Sequence, residues 1–202
     1  MRYEFLIDTY RTEIEKVLSV WAMFEDMDLR TRPHPTDARG RNLLDHMVHQ
    51  NVSEHFWFSR MFGIAVTDHP LPAEETRISF MKAYAENATK RLEALRKEGE
   101  GWWEEEADFF EVRRSRAWIM TRRIAHTAHH RGQQMALLRM FNRDVHSNYG
   151  PTADTGGLMQ NNTPVIYAYK DLGSILEEER GLRRKAALPG PGEKAPTESP
   201  GN

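Results

Sequence analysis

A chain of 202 residues with 39% hydrophobic and 29% charged positions and a formal net charge of −2 is composed as one globular domain with a terminal extension. Near-neutral charge gives no general attraction to nucleic acid or to an anionic membrane surface, and no apolar run approaches the ~20 residues needed to cross a bilayer. The absence of cysteine excludes disulfides, a thiol nucleophile and thiolate metal sites, so any metal must be held by His, Asp or Glu. The same absence fits a cytoplasmic protein.

The N-terminal stretch MRYEFLIDTYRTEIEKVLSVW carries acids throughout and has no small-residue cleavage site, so it does not read as a signal peptide. Apolar residues at three- and four-residue spacings (Phe5, Leu6, Ile14, Val17, Leu18, Trp21) predict a first helix from Tyr3 to about Met27. The prolines and glycine of DLRTRPHPTDARGR end it. A second helix is expected to start after Asn42 as N-cap and to run to Gly63, a good stop residue. TDHPLP reads as a loop, and a third helix is expected from about Ala73 to Lys97, terminated by EGEGWW. WWEEEADFFEVRRS has no clear helical period and fits a loop or a short hairpin, its glutamates at 104–106 forming a solvated acidic run.

A fourth helix is predicted from about Ser115 to Asn142. The polar, turn-rich stretch over 143–164 then forms a long loop. VIYAY could be a brief extended piece, and LGSILEEERGLRRKAA a short amphipathic helix. The Pro/Gly/Ser/Glu-rich end has the composition of a disordered tail. The fold expected is therefore all-α: an antiparallel four-helix bundle over residues 1–185, followed by a tail over 186–202.

The fourth helix carries three histidines in RRIAHTAHHRGQQMALLRMF. At about 100° per residue His126 and His130 share one direction, about one turn apart, amid Ile119, Leu137, Met140 and Phe141. His129 is turned to the flank, and Gln133 continues the inward side. Ala125, Ala128, Gly132 and Ala136 form a stripe small enough for another helix to approach closely. Two inward imidazoles at i and i+4 are how a helix gives two ligands to one metal, although the glutamate of an HExxH helix is missing here. The alternative is a pair of core histidines hydrogen-bonded to neighbours, at the cost of burying imidazoles without a common partner.

A third ligand should come from DHMVHQNVSEH on the second helix, where His46, His49, Gln50, Glu54 and His55 are candidates. Periodicity does not choose between His46 and His49. That helix is apolar on two sides, as expected of one lying between its own bundle and a second subunit.

HTAHHRGQQMALLR on a late helix and RNLLDHMVHQNVSEHFWFSRMFG on an early one together resemble the DinB/YfiT-like family of metal-binding four-helix-bundle proteins. The likeness spans most of residues 1 to about 160. In that family an aromatic pair follows the early ligand by about eight residues and a glycine by about fourteen. Counted back from Trp57 and Gly63, both offsets select His49. The resemblance thus implies a triad of His49, His126 and His130 around one divalent ion (Zn, Ni or Fe), with open positions for water or substrate and His46 as a neighbour.

Related families use the scaffold for transfer of low-molecular-weight thiols, thiol-dependent isomerisation or oxidative sulfur chemistry. The implied function is a metal-dependent thiol transferase or hydrolase acting on a small molecule. The alternative is a non-catalytic metal-binding homodimer with a stress-related role. Glu54, Gln133 and Tyr149 are candidate substrate contacts, the last on a loop that could cover the site mouth or meet a second subunit. Arg131, on the far side of its helix, is expected to form a salt bridge or an intersubunit contact.

Overall fold

The computed structural model describes residues 2–37, 39–150, 152–157, 172–180 and 187–190. Helix α1 runs Glu4–Met23, α2 Leu43–Trp57, α3 Arg77–Leu95, α4 Glu100–Glu104, α5 Arg116–Met140 and α6 Leu172–Arg180. Strands β1 (Glu106–Phe109) and β2 (Val112–Ser115) form an antiparallel hairpin between α4 and α5. Among the described residues the fold is all-α apart from that hairpin. VIYAY and nearly all of the expected tail lie outside the described residues.

Side chains set the helix starts. Asn42 accepts from the Asp45 N–H at 2.8 Å while the Asp45 carboxylate takes the Asn42 N–H at 3.2 Å, a reciprocal cap for α2. Ser115 caps α5 by accepting from the Trp118 N–H. Thr76 does the same for α3 through the Ser79 N–H, so this helix begins four residues later than the periodicity predicts. The last turn of α2 widens into a π-helical turn over Phe58–Phe62. Gly63 ends it in the left-handed region at φ 71°, where a side chain would be strained. Helix α1 stops at Met23 because Phe24 turns extended and a 3₁₀ turn, Asp26–Asp28, follows.

Helices α1 and α2 face each other across the bundle diagonal, each packed against both α3 and α5, and α6 lies on α1 and α3. Leu18, Trp21, Phe24, Phe58, Phe80 and Ile119 fill the centre. The core-facing stripes of the two site helices are unusually polar. On α2 they include His46, Gln50, Asn51 and Glu54, and on α5 Arg123, Thr127, His130, Arg131 and Gln134, all buried. Conversely Val52, Phe56, Trp118 and Met140 are exposed, so Met140 does not join the inward stripe expected of it. The small-residue side of α5 has no helix against it among the described residues: Ala125, Gly132 and Ala136 are exposed, and a Cβ on Gly132 would meet nothing within 4 Å.

The segment after α5 folds back on α1. Arg143 holds Asp28 through two contacts of 2.9 Å and faces Glu25 at 3.0 Å. Asn148 donates to the Lys16 carbonyl at 2.8 Å, and Arg131 joins Asn148 to Glu13. Arg131 therefore makes an internal, buried salt bridge, one of the two roles expected of it.

Candidate metal centre

The seam between α2 and α5 brings three imidazoles together. One potential ligand atom from each of His49, His126 and His130 lies within 4.8 Å of the other two. The Nε2 atoms of His126 and His130 are 3.2 Å apart, as the i, i+4 spacing dictates. Their ring centroids are 4.5 Å apart, and the His49 ring is 4.5 Å from His130 and 5.5 Å from His126. The His49 Nε2 is buried with no hydrogen-bond partner. Three imidazole donors this close, with one buried nitrogen of each ring (His49 Nε2, His126 Nδ1, His130 Nδ1) left without a hydrogen-bond partner, are a donor set that fits a divalent ion.

The electrostatics keep these rings neutral. Burial pushes His126 down to about 4, helped by the Arg123 guanidinium. Burial and the neighbouring His126 take His130 to about 3. His49 is also lowered, by burial and then by Arg41 and Arg123. A neutral imidazole is the form that ligates metal, so at neutral pH no proton has to be displaced.

Second contacts hold the rings in place. Trp57, at the end of α2, stacks on His126 with centroids 5.8 Å apart and also carries the Arg123 guanidinium over its ring at 5.5 Å. Phe109 of the hairpin closes on Trp57 edge-on at 5.3 Å. Arg123 is itself fixed by Ser53 at 3.1 Å and Thr127 at 3.2 Å.

The remaining expected residues fall in different places. His46 is buried in the first turn of α2, its ring 5.7 Å from His130, and burial lowers it to about 4. Gln133 is exposed and pairs with the exposed His129 at 2.9 Å, while Gln134 takes the inward position and links Trp21 to Gln50. Glu54 does not reach the triad. Its fully buried carboxylate accepts from Tyr84 at 2.7 Å and from Tyr10, and pairs with Arg91 at 3.2 Å and Arg123 at 3.5 Å. Tyr149 is 77% exposed and lies over Lys16 and Arg131, on the α1 side of α5 and away from the triad.

Four members of the Glu54 cluster (Tyr10, Tyr84, Arg91, Arg123) and the Trp57 stacking role escape a helical wheel. The one signal they offer is the spacing of Arg123, Thr127 and His130 at four and three residues, which puts both polar residues on the face of a ligand.

A polar-cored helical bundle with a histidine cluster on the seam of two helices defines the class of protein. The DinB family model matches residues 12–155, more than half of the chain, and the chain belongs to the DinB family. Neither a curated protein nor a solved structure matches it.

Proposed function

We propose that this protein is a metal-dependent enzyme that holds one divalent ion, Zn, Ni or Fe, on His49, His126 and His130. The observation that carries the reading is the convergence of three imidazole donors within 4.8 Å. A divalent ion there would supply Lewis acidity, lowering the pKa of a bound water or thiol. The three neutral rings leave its charge uncompensated, which favours an anionic or ionisable ligand in the open positions. Trp57, stacked on His126 with Arg123 over its own ring, orients that ligand.

Both carboxylates on the site helices are engaged, Glu54 by two tyrosines and two arginines and Asp45 by the Asn42 N–H and Arg32, and neither is free as a proton acceptor. That favours a substrate bringing its own ionisable nucleophile, so a low-molecular-weight thiol suits the site better than a hydrolysable ester or amide. The same lack of a nearby base also supports the second reading, a non-catalytic metal-binding protein with a stress-related role. We further propose a cytoplasmic homodimer: Val52 and Phe56 on α2, and Ala125, Gly132 and Ala136 on α5, leave an uncovered face on the site helices. No helix among the described residues is long and apolar enough to cross a membrane.

Elemental analysis of the purified protein tests the metal reading. About one equivalent of a transition metal is expected in the wild type and less than about 0.2 in His126→Ala. A wild type below that level, with His126→Ala equally heat-stable, would sink it. Turnover assays with small thiols and electrophilic acceptors, beside ester and amide panels, separate the enzyme from the non-catalytic metal binder.

A further inference from the structure

Against His46, whose ring is 5.7 Å from that of His130, lies a cavity of about 440 Å³. Its lining combines the apolar Leu137, Met140 and Pro33 with the polar Arg41, His46 and Gln133. The loop that carries Arg41 is tightly built. A Cβ on Gly40 would lie 2.7 Å from the Pro33 ring, and Arg32 ties the same stretch down by donating to the Gly40 carbonyl at 2.8 Å.

Two guanidiniums border this space, and only one is available. Arg39 grips Asp37 through Nε at 2.9 Å and a terminal nitrogen at 2.8 Å. Asp45, the acid on the adjoining turn of α2, is taken by the Asn42 N–H at 3.2 Å and by Arg32 at 3.5 Å. Arg41 is exposed, and none of the hydrogen bonds or ion pairs of the described residues engages it. It lies close enough to disfavour protonation of His46, His49 and His130. His46 is 2% exposed, its Nδ1 is buried without a partner, and its ring both lines the cavity and lies 5.7 Å from that of His130.

A cation with no counter-charge, an apolar wall and an orphaned buried imidazole, all next to the metal position, describe a site for an anion with an aliphatic body. We propose that the cavity binds the carboxylate tail of the substrate, with Arg41 as its anchor and Leu137 and Met140 along its spacer. The reactive end of the same molecule then sits at the triad. The inference rests on the metal reading and narrows its substrate class to carboxylate-bearing molecules. A guanidinium matches a carboxylate in geometry as well as charge, which an amide or alcohol of equal length does not.

The test uses the full chain loaded with Co(II), titrated with mercaptohexanoate and with mercaptohexanol and followed by the thiolate-to-cobalt absorption band. The carboxylate is expected to bind about tenfold tighter than the alcohol, from one charge-assisted contact. Arg41→Gln should erase that preference while the cobalt stoichiometry stays the same. Equal affinities in the wild type, or a preference that survives Arg41→Gln, overturn the proposal. If the protein takes up no metal, the metal reading fails on its own, and calorimetry of hexanoate binding to the metal-free chain still reads the anchor. A roughly tenfold loss in Arg41→Gln then supports Arg41, and no loss overturns it.

Discussion

Glu54 shows how one buried charge can join a whole bundle. It sits on α2 and receives Tyr10 from α1, Tyr84 and Arg91 from α3, and Arg123 from α5. Burial, and the adjacent Glu54 carboxylate, push both tyrosine hydroxyls well above their ordinary value, so each stays a neutral donor. Truncating this residue leaves two guanidiniums buried with no anion between them. Glu54→Ala is therefore expected to lose about 3–5 kcal/mol of stability in urea unfolding, a cost set by the stranded charges rather than by lost packing. A loss within about 0.5 kcal/mol would show that the cluster does not bear on stability. Glu54→Gln keeps the shape and isolates the charge.

At the scale of the element, the start of α2, its end at Gly63 and the start of α5 were legible because caps are local chemistry, whereas the start of α3 and the end of α1 each fell four residues from where periodicity put them. Asn42, Ser115 and Gly63 act where their residue types lead one to expect. The hairpin was half legible: its alternation is weak, and it turns through Phe110 at φ 53°, a residue with no preference for that conformation. The faces of α2 and α5 were the hard part. A wheel ranks residues by hydrophobicity, whereas these helices bury Gln50, Glu54, Arg123 and Gln134 and expose Phe56 and Met140. This is why periodicity left His46 and His49 tied and placed Gln133 inward, although the i, i+4 pair on α5 needed no wheel beyond its own spacing.

The glycine in α5 provides a test at the same scale. Within one chain a methyl group on Gly132 touches nothing, so Gly132→Ala should stabilise an isolated protomer by up to about 1 kcal/mol through helix propensity. Should α5 pack closely against a second copy, the same methyl group would weaken the dimer. Sedimentation measured together with chemical unfolding distinguishes the cases: gain with unchanged association argues against the dimer contact at this glycine.

Across the whole molecule, the lowered imidazoles tie folding to pH. Their folded values of about 4, 4 and 3 for His46, His126 and His130 lie below the ordinary value near 6.5. Between those limits the unfolded chain binds more protons than the folded one. Stability from these rings is therefore fully present above pH 6.5 and is lost as pH falls toward 4 and then 3. The metal-free protein is expected to melt at a lower temperature at pH 5 than at pH 7.5. His130→Gln, which removes the most strongly lowered ring, should flatten that dependence in calorimetric scans. An equally steep fall in the variant would place its origin elsewhere.

Trp57 has a consequence for how the molecule can be watched. Of the five tryptophans it is the one whose ring lies against the triad, stacked on His126, with a guanidinium also over its ring. Its indole is thus a built-in optical reporter: a paramagnetic ion on the three imidazoles would drain its excited state at contact range. Occupancy becomes a property of the protein's own light emission, with no label attached to the site.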